Sequence, residues 1–405
     1  MVRAEPQGAA KVFTAGTHRA RAPEQTWDLV VPLLPDFGIT RVSDVTGLDV
    51  LGIPVAMATR PLAKTLSVSQ GKGQTYLLAK VSAAMEGIEF WHCEHIRPPF
   101  RYTGVSADKL GLSYSVDDVA TMAGSLVSDR TPLDWIEATG LCSGTAELVP
   151  ADLARLCHPG EVVRRRHGLM QSSNGLASGN SRSEAALHAL YELMERDALG
   201  LALTAADRVV VDPNSIPEEA GAQLVQRIRH AGAHLDLIRI NNRFGVPTFA
   251  ARIWSAEFPL SCLGYGAHLS AEVAASRAVT EAAQTRVTSI AGSRDDLIDH
   301  YGHIGRGVPA APPAIPLDRL AHAGPLPWQE AVADTTPSFG TFDEELAWAA
   351  ATAAQVTSHE PLLVDLSTVP EFAVVKVVLP GAGFDRQMVH PGRSSTAQER
   401  LFGAR

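Results

Sequence analysis

The feature that most constrains this chain is a helix predicted over residues 184–198, which carries a line of ionisable side chains on one face. At intervals of four, four and three residues they are Glu184, His188, Glu192 and Glu195. This spacing places all of them within one quadrant of a helix. The segment before it, residues 172–183, is small and polar, and its glycines break regular structure. A carboxylate stripe this dense is stable only where cations lie along it or water covers it.

Two further predicted helices carry a polar stripe of the same kind. In residues 75–95 the stripe consists of Ser82, Glu86, Glu89 and Cys93, and in residues 271–291 of Arg277, Glu281, Gln284 and Thr288. A helix that is apolar over most of its circumference is largely buried, so its polar stripe must face something polar. A solvated outer face would account for one such stripe. Three stripes with similar spacing indicate one shared cavity.

The glutamates of these stripes are the candidate metal ligands: Glu86, Glu89, Glu184, Glu192, Glu195 and Glu281. Carboxylates remain ionised in poor solvent only when they have partners. Mg²⁺ is the natural partner, because it prefers oxygen ligands and usually shares its shell with phosphate oxygens. The further positive charge that a triphosphate requires could come from Lys72, Arg196, Arg277 and Arg286. Neither GxxxxGK[ST] nor GxGxxG occurs in the right context, so no glycine-rich phosphate loop is predicted.

The composition excludes several other classes of protein. A net charge of -9 over 405 residues lacks the basic footprint of a general nucleic-acid binder. No apolar run is long enough for a membrane-spanning helix, and the N-terminal residues lack the apolar core of a secretory signal. The 4 cysteines form no CxxC pair, which argues against a disulfide framework or a thiolate zinc site. These features together predict a cytoplasmic protein.

Strands and helices are mixed along the chain without a regular βαβ order, which predicts an α+β fold with largely antiparallel sheet. Residues 234–240 and 247–254 alternate as two paired strands do. A polar glycine-rich turn is predicted at residues 67–74, and a helix within residues 113–128. The proline-rich residues 305–327 are predicted to form a surface loop, and the tail from residue 387 to be weakly structured.

Four blocks of the sequence resemble the signature blocks of the YcaO family. They are SQGKG (69–73), SAAMEGIE (82–89), SNGLASGNSRSEAALHALYELMERDA (173–198) and RAVTEAAQTR (277–286). The resemblance extends over about residues 12–380. It implies a single YcaO domain over residues 1–405, with antiparallel sheets and long helices packed around a central ATP and Mg²⁺ cavity.

The resemblance also implies a reaction. Family members hydrolyse ATP to phosphorylate the oxygen of a peptide backbone amide, and a nucleophile then attacks the amide carbon. The products are azolines, thioamides or macrocyclic amidines in ribosomally made peptides. Motif matching makes the six glutamates named above the Mg²⁺ contacts. The implied ATP contacts are Ser82, Asn180, Arg196, Arg277, Lys72 and Arg19. No catalytic residue is assigned, and His188 and His268 are the candidates for proton transfer.

The implied partners are a precursor peptide and a separate protein. We expect no fused peptide-binding domain at the N-terminus, so leader recognition would come from a TfuA-like or other separate partner, or would not be needed. Neither nucleic acid nor a membrane is expected as a partner. The C-terminus lacks the proline-rich tail of many azoline-forming members, and a homodimer remains open. Two alternatives remain for the function: an inactive nucleotide-binding scaffold, and a metal-dependent hydrolase that works without ATP.

Overall fold

The structure is a computed structural model that describes residues 9–13, 16–122, 125–157, 168–202, 208–218, 221–294, 324–332 and 336–383. The chain divides into two compact units. The first unit comprises Met1–Pro32, Ile88–Leu193 and Pro337–Ala382, and the second comprises Leu33–Gly87, Met194–Thr336 and Gly383–Arg405. Each unit has its own antiparallel sheets.

The described residues form the following elements. The α-helices are α1 (Pro23–Val30), α2 (Tyr76–His95), α3 (Arg182–Ala202), α4 (Ala222–His230), α5 (Ala271–Ala291), α6 (Trp328–Ala331) and α7 (Phe342–Thr357). The strands are β1 (Arg41–Asp44), β2 (Val55–Thr59), β3 (Val68–Lys72), β4 (Phe100–Val105), β5 (Leu133–Gly140), β6 (Ala146–Pro150), β7 (Leu176–Gly179), β8 (Arg208–Val211), β9 (His234–Ile240), β10 (Thr248–Trp254), β11 (Cys262–Ala267), β12 (Leu362–Asp365) and β13 (Ala373–Val378).

The first unit contains a six-stranded sheet in the order β4-β5-β12-β13-β7, with β6 paired to β5. Its strand β13 lies between β12 and β7 and is buried at every position, which is typical of an internal strand with both faces covered. Strand β13 pairs with β7 in a register that sets Lys376 opposite Leu176. This pairing brings the loop before β7 beside β13.

The second unit contains a three-stranded sheet, β1-β2-β3, and a four-stranded sheet, β11-β10-β9-β8. Helix α5 packs closely on β11 because β11 carries glycines: a Cβ at Gly264 would lie 2.2 Å from the carbonyl oxygen of Ala278. The core of this unit includes Phe249, whose ring stacks on Trp328 at 5.6 Å.

Every pairing between the named strands is antiparallel, which confirms the α+β prediction. The predicted strand pair is β9 with β10, and the helix predicted over residues 271–291 is α5. No helix in the described ranges is long and apolar enough to cross a membrane. Residues 305–323 and the tail from residue 387 lie outside the described residues.

The prediction of a turn at residues 67–74 was wrong, because these residues form β3. Strand β3 pairs with β2, with Lys72 opposite Val55. Its polar residues Ser69 and Gln70 are buried rather than exposed. The glycine at position 71 does not make a turn; it allows the strand to approach helix α2 closely.

The prediction of a helix within residues 113–128 was also wrong for the described part of that range. Only the 3-10 turn Val116–Asp118 forms. The carboxylate of Asp129 accepts hydrogen bonds from the Ser115 hydroxyl and from the backbone N–H of Val116. Side-chain bonds of this kind compete with helical hydrogen bonds, so the backbone leaves the helical path.

A buried ion pair fixes one face of α5. The guanidinium of Arg286 donates to both carboxylate oxygens of Asp49, at 3.1 and 2.9 Å, and both side chains are only 3% exposed. Arg286 also donates to the carbonyl of Phe258. The sequence had placed Arg286 among the phosphate-binding cations. In the structure Arg286 is instead held by Asp49.

Removal of Asp49 should be strongly destabilising. Asp49→Ala leaves the Arg286 guanidinium buried without its carboxylate, and we expect a loss of about 3–5 kcal/mol in the free energy of unfolding. The double variant Asp49→Leu/Arg286→Met should lose less, because no buried charge remains. Chemical denaturation measures both effects. A loss below about 1 kcal/mol in the single variant would show that the pair does not stabilise the fold.

Candidate functional site

Several residues of the three polar stripes keep partial access to solvent. On α3, His188, Glu192 and Arg196 are half-buried, whereas nearly all of the side chains between them are buried. The half-buried positions of the middle of α2 are Ser82, Glu86 and Glu89, and those of α5 include Arg277, Glu281 and Gln284. The boundary between the units falls within α2 after Gly87 and within α3 after Leu193. The contacts of the stripes therefore fall into two sets, one in each unit.

Four stripe residues do not share this access: Glu184 and Glu195 on α3 are buried, and so are Cys93 on α2 and Thr288 on α5. Cys93 is fully buried, its thiol lies 3.6 Å from the carbonyl of Ala154, and burial raises its pKa to about 11. Thr288 is buried as well, and its hydroxyl donates to the carbonyl of Gln284. Cys93 and Thr288 are the last stripe residues of α2 and α5, and both lie in the core.

In the first unit, Glu184 is buried against the segment that contains Arg19. Its carboxylate accepts a hydrogen bond from the N–H of Ala20 at 2.9 Å, and the Arg19 guanidinium lies 3.6 Å away. The Asn180 amide donates to the same carboxylate at 3.2 Å, and its oxygen accepts from the hydroxyl of Thr26. Three of the predicted contact residues, Arg19, Asn180 and Glu184, are thus brought together.

Two more carboxylates of the first unit are held by backbone N–H groups. Glu89 accepts from both the N–H and the hydroxyl of Ser178, at 2.8 and 2.6 Å. Glu192 accepts from the N–H of Gly175 at 3.0 Å. Both donors belong to the stretch that leads into α3. Hydrogen bonds from N–H groups favour the ionised form of a carboxylate, which is the form that binds a metal.

The second unit places Lys72 of β3 against Glu281 of α5, and their side chains form an ion pair. Burial by itself would raise the pKa of Glu281, but the charges of Lys72 and Arg196 outweigh it and lower that pKa. Arg196 also lies 3.1 Å from the carboxylate of its neighbour Glu195. Lys72, Arg196, Glu195 and Glu281 therefore form one electrostatic group.

Glu86 differs from Glu281, although both lie in the second unit. Burial raises the pKa of Glu86, and Glu281 adds to this effect. The N–H of Gln70, which donates to Glu86 at 2.7 Å, and the charges of Arg294 and Lys72 only partly oppose it. Desolvation is therefore the main cause of the raised pKa of Glu86.

The two histidines proposed for proton transfer have different surroundings. His268 is buried, and its Nδ1 accepts a hydrogen bond from the N–H of Ser270 at 2.9 Å, just before α5 begins. This contact favours a structural role at the helix start. His188 is half-buried on the stripe of α3 and keeps access to solvent.

Sequence reasoning missed Lys376, Ser178 and Gln70. Lys376 is a lysine at the centre of the apolar strand AVVKVV, and this conspicuous position could have revealed it. Ser178 lies within a signature block, but periodicity gives no sign of its contact with Glu89. The Gln70 side chain is buried, and among the described residues its amide nitrogen and the hydroxyl of Ser69 have no hydrogen-bond partner.

The residues fit Mg²⁺ and a nucleotide by the chemistry of their donors. Hard carboxylate oxygens with solvent access, next to lysine and arginine, are the groups that a magnesium-bound polyphosphate requires. The backbone N–H of Gln70 donates to Glu86, and within the described ranges the buried side-chain nitrogen of Gln70 and the hydroxyl of Ser69 have no hydrogen-bond partner. Within the described ranges, no three acidic, histidine or cysteine side chains are already grouped as a metal site.

The fold is that of the YcaO proteins. It is similar to the structure of YcaO from Methanopyrus kandleri bound with AMPPCP and Mg²⁺, with a TM-score of 0.72 and 21% sequence identity over 95% of this chain and 97% of that one. It is also similar to a heterocyclase in complex with substrate and cofactor, with a TM-score of 0.69 and 22% identity over 94% of this chain and 54% of that one.

The sequence places the chain in the same family. Residues 70–383 match the family described as YcaO cyclodehydratase, ATP- and Mg²⁺-binding. An uncharacterized protein of Mycobacterium tuberculosis is 39% identical over 372 residues, 90% of this chain and 82% of its own length. Another, in the tfuA 3′ region of Rhizobium leguminosarum bv. trifolii, is 42% identical over 293 residues, 69% of each. The chain belongs to the YcaO family, and the expected cofactors, ATP and Mg²⁺, agree with the description of that family.

Proposed function

We propose that this chain uses ATP and Mg²⁺ to activate a backbone amide of a ribosomally made peptide. The observation that carries the proposal is a set of acidic and basic side chains that keep partial solvent access on three largely buried helices: Glu86, Glu89, Glu192, Arg196, Arg277 and Glu281. These side chains lie within the part of the chain that matches the YcaO family. A carboxylate face on a buried helix is costly unless it binds something, and a magnesium-bound triphosphate matches its charge.

The roles proposed for the side chains follow the motif match to the family. The proposed Mg²⁺ ligands are Glu86, Glu89, Glu184, Glu192, Glu195 and Glu281. The proposed nucleotide contacts are Ser82, Asn180, Arg196, Arg277, Lys72 and Arg19. Bound Mg²⁺ would neutralise charge that develops on the phosphoryl group during transfer. The charges of Lys72 and Arg196, which already lower the pKa of Glu281, would then be shared with phosphate oxygens.

The proposed reaction has two stages. The amide oxygen takes the γ-phosphoryl group of ATP, and ADP leaves. A nucleophile then adds to the amide carbon, and the former amide oxygen departs with the phosphate. Phosphorylation is needed because an amide oxygen is otherwise a poor leaving group. Half-buried His188 is the better placed of the two histidines to move a proton in these stages.

Among the three products open to the family, we favour the thioamide. The support is the relative in the tfuA 3′ region, which is 42% identical to this chain. We propose that a TfuA-type protein is the partner and that sulfide, delivered with its help, is the nucleophile. Azoline and macrocyclic amidine formation use the same activated amide and differ only in the nucleophile.

The reaction products test this proposal. We expect ADP release that depends on a candidate precursor peptide, together with a change in the peptide mass. A gain of about 16 Da means that sulfur has replaced oxygen, and a loss of about 18 Da means ring closure by dehydration. Nucleotide binding with neither ADP release nor a mass change would indicate an inactive scaffold. Peptide cleavage without ATP would indicate a metal-dependent hydrolase.

A further inference from the structure

Lys376 lies in the middle of β13, a strand buried along its whole length, where a charged side chain is unusual. It is 3% exposed and has apolar neighbours along β13. Its ammonium group donates to two backbone carbonyls, that of Ser172 at 2.6 Å and that of Asn174 at 2.7 Å. Both carbonyls belong to the loop 172–175, which leads into β7.

The same loop holds Glu192. The N–H of Gly175 donates to the Glu192 carboxylate at 3.0 Å, and the carbonyl of Gly175 accepts from the N–H of Val377 on β13 at 2.8 Å. Gly175 has a φ of +76°, a conformation that favours glycine. The loop thus connects Lys376 on β13 to Glu192 on α3 through a continuous set of hydrogen bonds.

Burying a charged lysine is unfavourable unless other interactions compensate for the lost hydration. Desolvation lowers the pKa of Lys376, and the negative charge of Glu192 opposes that effect. An apolar residue would suit the surroundings in β13 better, but it would leave the carbonyls of Ser172 and Asn174 without this donor. The buried ammonium group therefore holds the loop 172–175 in one position.

We propose that Lys376 is a positioning residue of the nucleotide and metal site, which fixes Glu192 through the loop 172–175. This inference rests on the proposed function, because it assumes that Glu192 contacts Mg²⁺. Residues that orient a metal ligand typically contribute about 10- to 100-fold to metal affinity. Lys376 contacts neither substrate nor metal directly in this account, and it acts only through the loop.

The test compares Lys376→Met with the wild-type chain by calorimetry of AMPPCP binding at increasing Mg²⁺ concentration, and by ATP hydrolysis. We expect the Mg²⁺ concentration for half-maximal binding to rise about 10-fold or more, with kcat at saturating Mg²⁺ changed less than about 3-fold. Lys376→Arg, which keeps a charged donor, should recover part of the affinity. In the Glu192→Gln background, Lys376→Met should raise the Mg²⁺ concentration for half-maximal binding only slightly further, because the two changes act on the same ligand.

Arg155→Met is the matched control. Arg155 is another buried cation of the first unit that donates to a backbone carbonyl, that of Ala151 at 3.2 Å. It should lower stability without changing the Mg²⁺ dependence. Should Lys376→Met fail to fold, Lys376→Gln replaces it, because its shorter side chain should not reach both carbonyls. A folded Met or Gln variant with wild-type Mg²⁺ dependence would overturn the inference, as would an equal shift in Arg155→Met. Absence of Mg²⁺-dependent binding in the wild type would instead contradict the proposed function itself.

Discussion

Glu192→Gln and Glu195→Gln are each expected to lose about 100-fold or more of ATP hydrolysis, while the melting temperature stays close to that of the wild type. Glutamine has nearly the same shape as glutamate, and at position 192 its oxygen can still accept from the N–H of Gly175. What is lost is one negative charge among the groups that would hold Mg²⁺. Losses of this size correspond to about 3 kcal/mol of transition-state stabilisation.

The measurement is ADP release at saturating ATP and Mg²⁺ with peptide present. Glu330→Gln is the matched control, because Glu330 is an exposed helical glutamate outside the signature blocks. It should retain wild-type turnover. Wild-type turnover in both Glu192→Gln and Glu195→Gln would refute the assignment of α3 to the site.

Gly71→Ala is expected to destabilise the second unit strongly, although it adds only one methyl group. A Cβ at position 71 would lie 2.0 Å from the N of Ala83 and 2.1 Å from the carbonyl oxygen of Ala79, both in the backbone of α2. Backbone atoms cannot move aside as flexible side chains do, so β3 must separate from α2. We expect a loss of about 1–3 kcal/mol or more in the free energy of unfolding. The strand also carries Lys72, so the affinity for ATP should fall as well.

Gly47→Ala provides the comparison in the same unit. Nothing lies within 4 Å of a Cβ at Gly47, and its backbone does not require glycine. This variant should be neutral or slightly stabilising, because alanine restricts the unfolded chain. Thermal or chemical denaturation of the two variants measures the difference. Equal stability of both would show that β3 does not pack on α2 as closely as described.

Local patterns predicted the regular elements well. Helix α5 lies where it was predicted, at residues 271–291. In the structure the hydroxyl of Ser270 caps its start, and Gly292 adopts the left-handed conformation at its end. Strand β3 was missed because its polar and glycine residues resemble a turn. Only the tertiary contact of Gly71 with α2 explains why such residues form a buried strand.

Helical periodicity predicted which side chains share a stripe, but not what each of them contacts. Glu184 accepts from the N–H of Ala20, 164 residues earlier in the chain, and Lys376 bonds to Ser172 across 204 residues. Contacts at this separation depend on how the sheets pair, which no local pattern reveals. The resemblance to the YcaO family supplied the expected roles of the residues, whereas the pairings that hold them came from the structure.

The most direct test of the account is calorimetry of AMPPCP binding to the wild-type chain and to Glu195→Gln, with and without Mg²⁺. The central claim is that the carboxylate stripes bind a nucleotide through magnesium. It predicts saturable binding to the wild type that requires Mg²⁺ and that falls at least about 10-fold in Glu195→Gln. Binding of equal strength without Mg²⁺, or in the variant, would contradict it.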